Sequence, residues 1–277
     1  MAAAASIAIV TKLYTKLSKF IKSCIFCAAL FFCGIAHAQT FDLYSAKSAF
    51  KTKSINAYPV IIFIHGGAWL AGDKSDYKDT AQTFTQSGLC FVAINYQLAP
   101  SSKHPQPIQN LKQVLNDLKN LKDKPNCDLN NLYLVGHSAG AHLISFWAAQ
   151  NDDSRVKGFV GISGIYDLRN LAKVWPGYID WFIKPEFGAE AGWPAASPTL
   201  LKMKSTSPWV LIHSKNDELV DQNQTISFMK SLQKQKIQVE FSESEQETHF
   251  GIIQNMGRKT SLVTKTIIGF AKNKKLN

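Results

Sequence analysis

Short apolar runs alternate along this chain with longer segments in which apolar residues recur at every third or fourth position. The runs 59–64 (PVIIFI) and 89–95 (LCFVAIN) contain almost no polar residue, which is typical of strands buried on both faces. One helical face is marked by the spacing of Ile108, Leu111, Val114, Leu115, Leu118 and Leu121. The alternation predicts an α/β fold whose mostly parallel central sheet carries helices on both faces.

The remaining elements continue this alternation through residues 39–277, which we interpret as a single domain. Further strands are predicted at 40–45, 131–135, 156–162, 207–213 and 237–243, and further helices at 76–87, 141–150, 221–235 and 260–271. Residues 167–201 break the rhythm. They hold an aromatic set made of Trp175, Tyr178, Trp181, Phe182, Phe187 and Trp193. We interpret this stretch as a small cap-like insertion that either shapes a substrate pocket or covers an edge of the sheet.

The first 38 residues have the organisation of a secretory signal peptide. Four lysines and no acidic residue lie between Lys12 and Lys22, an apolar run of 13 residues follows at 23–35, and 36–38 (AHA) is an A-x-A cleavage site. We therefore expect cleavage before Gln39 and export to the periplasm or the medium, with no stable membrane span afterwards. An uncleaved anchor in the inner membrane is the alternative. Lipidation at Cys33 is disfavoured because bulky residues precede it.

Composition narrows the classes of partner. The 277 residues are 45% hydrophobic, enough for one sizeable core, and the net charge is +11. Because the basic residues are scattered and form no recognisable module, nucleic acid is not an expected partner. Removal of residues 1–38 would leave Cys90 and Cys127 as the only cysteines. An exported protein can pair them, whereas two buried thiols are the alternative, and the sequence does not decide between these states.

The pentapeptide 136–140 (GHSAG) contains the main candidate for chemistry. It follows a predicted strand and precedes a predicted helix, which is the context of a nucleophile elbow with Ser138 at its tip. A serine hydroxyl is a weak nucleophile at neutral pH, so it needs a histidine base, and the base needs an orienting acid. In this fold the chain order is serine, acid, histidine.

Two later histidines compete for the role of base. His249 follows the last predicted strand, whereas His213 ends an earlier strand and is expected to support the acid loop. The predicted acid is Asp217, the first carboxylate after the strand 207–213. Glu218 and Asp221 are its alternatives.

An acyl-transfer site also needs hydrogen-bond donors for the oxyanion. Residues 65–69 (HGGAW) directly follow a buried strand, and their small side chains would let backbone N–H groups approach a substrate. We expect the donors to be the N–H groups of Gly67, Ala68 and Ala139. We expect no cofactor and no metal, because the sequence has no H-E-x-x-H pattern and no C-x-x-C pair after residue 38.

Taken together, these motifs resemble the α/β-hydrolase superfamily, on the side that carries an HGG oxyanion loop. The segments 65–69, 72–77 (GDKSDY) and 98–100 (LAP) look like bacterial carboxylesterases, including feruloyl and acetylxylan esterase-like members. The segments 136–143, 163–168 (SGIYDL) and 249–250 look like kynurenine formamidases (arylformamidases). In a site of this kind we expect Trp69, Tyr166 and Trp181 to line the substrate pocket. One departure is Ala68, where many such esterases have glycine.

The resemblance implies an exported serine hydrolase that cleaves carboxylic esters of small acyl groups through an acyl-enzyme. An arylformamidase-like hydrolase of N-formylkynurenine is the second interpretation, although the export signal does not fit the intracellular role of those enzymes. A catalytically inactive binding module on the same fold is the third, and a peptidase acting on short peptides is a fourth. The expected partner is a small-molecule ester or formamide, and the oligomeric state is not predicted.

Overall fold

A computed structural model describes residues 40–46, 57–121 and 126–273 of the chain. The predicted signal peptide, residues 1–38, lies outside the described residues. Within the described ranges, no helix is both long and apolar enough to cross a membrane.

The described residues form a seven-stranded sheet in which only the first strand is antiparallel to its neighbour. The strands are β1 (Phe41–Tyr44), β2 (Tyr58–Ile64), β3 (Cys90–Ile94), β4 (Cys127–His137), β5 (Val156–Ile162), β6 (Trp209–Ser214) and β7 (Val239–Ser244). Their order across the sheet is β1-β3-β2-β4-β5-β6-β7. The predicted α/β-hydrolase fold is therefore confirmed, with a mostly parallel sheet.

The helices in the described ranges cover both faces of this sheet. They are α1 (Lys78–Gln86), α2 (Gln106–Lys119), α3 (Ala139–Gln150), α4 (Leu168–Val174), α5 (Lys184–Phe187), α6 (Asn223–Lys234), α7 (His249–Gln254) and α8 (Leu262–Asn273). Alternate side chains of β2 explain why both faces must be covered. Val60, Ile62 and Ile64 belong to the buried cluster that includes residues of α2, α3 and α6, whereas Ile61 and Phe63 belong to the cluster that includes residues of α1, α7 and α8.

The insertion predicted at 167–201 consists of short helices rather than a loop. Besides α4 and α5 it contains a π-helical turn (Ile179–Ile183) and two 3₁₀ turns (Glu190–Ala196 and Pro198–Leu200). Its aromatic rings pack on loops that follow the strands, since Phe187 lies 4.9 Å from Trp69 and the Tyr178 hydroxyl donates to the Leu219 carbonyl at 3.2 Å. The insertion therefore lies against the loops after β2 and β6.

Glu186, in this insertion, is buried without a counter-charge. It is 1% exposed, and neither carboxyl oxygen has a hydrogen-bond partner among the described residues. Burial raises the pKa of its carboxyl to about 8, and the nearby backbone N–H of His104, which donates to the main-chain carbonyl of Glu186, opposes this only in part. At neutral pH Glu186 therefore keeps its proton in the folded state. In the unfolded chain it is ionised, because the pH is above the ordinary pKa of a glutamate.

Cys90 and Cys127 form a disulfide, which answers the question that the sequence left open. They are the first residues of β3 and β4, the two strands that flank β2, and their Cα atoms are 5.8 Å apart. The bond lies at the amino ends of the strands, opposite the loops contacted by the insertion. It closes a loop with a sequence separation of 37 residues.

We expect the paired substitution Cys90→Ala and Cys127→Ala to lower the free energy of unfolding by about 3–4 kcal/mol, because the loop is no longer restrained in the unfolded chain. Urea unfolding of both proteins measures this difference. Reductant should destabilise the wild type and leave the double variant unchanged. Equal stability of the oxidised wild type and the double variant would contradict this expectation.

We also expect Glu186→Gln to change how stability depends on pH. Between about pH 5.5 and 7 the wild type should lose about 1.4 kcal/mol per pH unit relative to the variant, since only its unfolded state ionises there. Chemical denaturation at several pH values tests this. Parallel stability profiles for the two proteins would show that Glu186 ionises normally in the folded state.

Candidate active site

Ser138 stands at a strained turn between β4 and α3. Its backbone has φ 52° and ψ −117°, a region that costs a non-glycine residue on the order of 1–3 kcal/mol. Its N–H donates to the Ile162 carbonyl at 2.9 Å, and its own carbonyl accepts from the N–H of His142 at 3.2 Å. The surrounding backbone thus fixes the serine in the geometry of a nucleophile elbow.

The two glycines of the pentapeptide permit this turn through close packing. A Cβ on Gly136 would lie 2.4 Å from the Gly140 carbonyl oxygen, and a Cβ on Gly140 would lie 2.1 Å from that of Ile64. Atoms cannot approach this closely, so a residue with a Cβ does not fit at either position. The G-x-S-x-G spacing is therefore required by how closely α3 approaches β4 and β2.

His249 and Asp217 form a buried pair at the neighbouring strand ends. His249 Nδ1 lies 3.0 and 2.8 Å from the two carboxylate oxygens of Asp217, and the side chains are only 4% and 1% exposed. Asp217 Oδ1 also accepts the N–H groups of Leu219 and Val220. Burial alone would raise the pKa of Asp217, but the hydrogen bond and charge of His249, with the Val220 N–H, hold it below its usual value.

His213, the other histidine considered as base, lies behind the acid. Its Nδ1 accepts from the Thr225 hydroxyl at 2.8 Å, and its Nε2 donates to the Val220 carbonyl at 3.1 Å. The same Nε2 lies 3.6 Å from Asp217 Oδ2. Burial lowers the pKa of His213, so a neutral imidazole packs beneath the acid loop.

The alternative acids have other contacts. Asp221 accepts the N–H of Asn223 at 2.9 Å, at the start of α6. Glu218 accepts the backbone N–H of His249 at 3.1 Å. Glu218 therefore anchors the histidine's main chain, whereas Asp217 contacts its ring.

His137 holds the other side of the same histidine. Its Nε2 donates to the His249 carbonyl at 3.1 Å, and the two rings are 4.7 Å apart. Burial lowers the pKa of His137 well below its usual value, which keeps this donor neutral. His137 directly precedes Ser138, so the elbow and the histidine loop are joined by this bond. Among the described residues, the Ser138 hydroxyl makes no hydrogen bond to His249.

The HGGAW segment forms a loop with three consecutive positive φ angles. They are 109° at Gly67, 53° at Ala68 and 58° at Trp69. A Cβ on Gly66 would lie 2.8 Å from His137 Nδ1 and 3.1 Å from Ser138 Cβ, so the loop abuts the elbow. In the described part of the chain, the N–H groups of Gly67 and Ala68 have no partner. Such adjacent N–H groups suit an anion.

A family model described as BD-FAE matches residues 41–232, which include the elbow, the HGGAW loop and Asp217. The chain belongs to the BD-FAE family. Its sequence is 27% identical to the kynurenine formamidase of Danio rerio over 85% of this chain and 78% of that protein. It is 26% identical to esterase LipC of Mycobacterium tuberculosis, over 70% of this chain and 52% of LipC.

A solved structure of esterase B from Lactobacillus rhamnosis has the same fold. It superposes with a TM-score of 0.72 at 16% identity, over 99% of this chain and 96% of the esterase. Together with the family, these likenesses identify the protein as a hydrolase of the α/β-hydrolase type.

Two of the three residues expected to line a substrate pocket in this BD-FAE member are fully buried. The ring of Tyr166 stacks on Phe228 at 4.3 Å within the core, so this structure does not expose it to a pocket. The Trp69 ring is covered by the insertion and α3. Only Trp181, at 37% exposure, reaches the surface.

The contacts of Glu218 and His137 with His249 were not predicted from the sequence, although each residue is adjacent to a predicted site residue.

We expect Glu218→Ala to lower kcat/KM on p-nitrophenyl acetate by about tenfold or more, because a hydrogen bond to a charged acceptor contributes about 1.5–3 kcal/mol. Glu218→Gln keeps an acceptor oxygen and should lose less activity.

Asp221→Asn is the matched control for Glu218, since Asp221 lies in the same loop without contacting His249. Unfolding midpoints should be recorded for all three variants. Full activity of a folded Glu218→Ala protein would contradict the anchoring role.

Proposed function

We propose that this protein is an exported serine esterase that hydrolyses carboxylic esters with small acyl groups. The observation that supports this most directly is the buried pair of His249 and Asp217, with Nδ1 and the carboxylate 2.8 Å apart, beside the turn that carries Ser138. A buried carboxylate bound to imidazole Nδ1 fixes the tautomer whose Nε2 can accept a proton.

In the proposed mechanism, Ser138 Oγ attacks the ester carbonyl while His249 Nε2 takes its proton. Asp217 stabilises the imidazolium, and the N–H groups of Gly67, Ala68 and Ala139 bind the oxyanion. His249 then protonates the leaving alcohol, which gives an acyl-enzyme. Water attacks this ester while His249 takes its proton. His249 then returns the proton to Ser138 Oγ as the bond to the acyl group breaks and the carboxylic acid leaves. One oxyanion donor contributes roughly a hundred- to a thousandfold in rate.

Hydrolysis of a formamide is the second candidate, favoured by the similarity to the kynurenine formamidase of Danio rerio. The same serine would attack a formyl carbonyl, and an amine would leave instead of an alcohol. The binding-module interpretation predicts no turnover of either class.

Initial rates with residues 39–277 distinguish these functions. The panel is p-nitrophenyl acetate, butyrate and octanoate beside N-formylkynurenine, with Ser138→Ala as control. We expect the acetate and butyrate esters to be turned over fastest, and loss of Ser138 to reduce kcat at least a thousandfold. Preference for N-formylkynurenine would favour the formamidase instead. Equal, negligible rates for wild type and Ser138→Ala on all four would refute the proposed triad.

Two features support export. Residues 1–38 have the pattern of a signal peptide, and a disulfide is typical of oxidising compartments. Expressing the full chain in a bacterium and sequencing the protein from the periplasm and medium should give Gln39 as the first residue. Recovery of the uncut chain from the inner membrane would instead favour the anchored form.

A further inference from the structure

Buried polar side chains converge around the ring of Phe187, beneath the insertion. The rings of Trp69, His104 and His142 lie 4.9, 5.2 and 5.2 Å from that of Phe187. Glu186 precedes Phe187, and its backbone carbonyl accepts the N–H of His104 at 3.1 Å. We call Glu186, His104, His142 and Trp69 the Phe187 cluster.

Each member of the Phe187 cluster has a buried polar atom without a partner in the described residues. These atoms are both carboxyl oxygens of Glu186, Nδ1 of His104 and of His142, and Nε1 of Trp69. An unsatisfied buried polar atom destabilises the folded protein. Native proteins contain few such atoms, and a group of them calls for a partner such as water, an ion or a ligand.

The unpartnered atoms are mostly acceptors. His142 Nε2 donates to the Ala196 carbonyl at 2.8 Å, which leaves its Nδ1 with a free lone pair. The carboxyl oxygens of Glu186 add acceptors, whereas Trp69 Nε1 can only donate. Burial lowers the pKa of His104 to about 4 and that of His142 to about 3, so neither ring supplies a positive charge to Glu186.

The cluster borders the candidate active site. His142 lies one helical turn after Ser138, and its N–H donates to the Ser138 carbonyl. Trp69 directly follows Ala68 in the loop proposed to bind the oxyanion. Phe187 and His104 are the partly exposed rings of the group, so the cluster reaches towards the surface at these two residues. A substrate on Ser138 could therefore extend towards these acceptors.

We propose that the Phe187 cluster is a subsite for a primary ammonium group on the substrate. An ammonium has three N–H donors and no acceptor. Its charge favours the ionised form of Glu186, which releases its proton to solvent when the ammonium binds. The surrounding aromatic rings favour a cation as well. A metal ion is the weaker alternative, because no group of three or more His, Cys, Asp or Glu in the described ranges is placed to hold one. The inference rests on the proposed function and specifies its substrates as esters or formamides that carry an amine.

Competitive inhibition of p-nitrophenyl acetate hydrolysis tests the subsite with three probes. Propylammonium chloride presents the ammonium, tetramethylammonium chloride has the charge without N–H donors, and 1-butanol has a similar shape without charge. We expect propylammonium to inhibit at a concentration at least tenfold lower than either comparison compound. Glu186→Gln should weaken its inhibition at least tenfold, whereas Glu190→Gln, an exposed acid in the same insertion, should not.

A second measurement needs neither a variant nor turnover. Propylammonium should raise the thermal midpoint of the wild type more than tetramethylammonium does at equal ionic strength. Equal effects of the three probes, or unchanged inhibition in Glu186→Gln, would overturn the subsite and leave water as the partner of these atoms. Turnover of p-nitrophenyl acetate, which has no amine, reports on the esterase proposal separately.

Discussion

Ser138 occupies a backbone conformation that the chain can maintain only because the sheet and α3 enclose it. The strain, on the order of 1–3 kcal/mol, is offset by β4 lying between β2 and β5 and by the hydrogen bond from Ser138 to Ile162. Gly136 and Gly140 allow α3 to begin at once. The position of the hydroxyl therefore follows from packing in the centre of the molecule rather than from the mobility of a loop.

His249, the proposed base, is held by three neighbouring side chains. Asp217 binds its ring, Glu218 binds its N–H and His137 binds its carbonyl. Further bonds join the loops after β6 and β7: the Ser214 hydroxyl donates to the Glu247 carbonyl, and the Asn216 amide donates to the Glu245 carbonyl at 3.0 Å. Because the side chains of Asp217 and His137 are buried and these loops are bonded to each other, His249 is pre-organised for a substrate.

Much of this arrangement could be predicted from the sequence. The apolar runs correctly predicted the positions of the strands, because a strand that is buried on both faces contains few polar residues. Chain order then led to Asp217 and His249, since the carboxyl ends of parallel strands meet at one edge of the sheet. The paired contacts of Glu218 and His137 could not be predicted, because they depend on distances between loops far apart in sequence. For the same reason the sequence left the state of Cys90 and Cys127 open, and it placed Tyr166 in a pocket although its ring packs on Phe228.

The proposed mechanism requires that one serine, and no other nucleophile, forms the acyl-enzyme. Labelling with a fluorophosphonate ester that mimics the tetrahedral intermediate, followed by intact-mass and peptide mass spectrometry, tests this requirement. We expect one adduct per chain on Ser138, absent from Ser138→Ala and slow to form in Asp217→Asn. Labelling of a different residue, or turnover by a wild-type protein that takes no label, would contradict it.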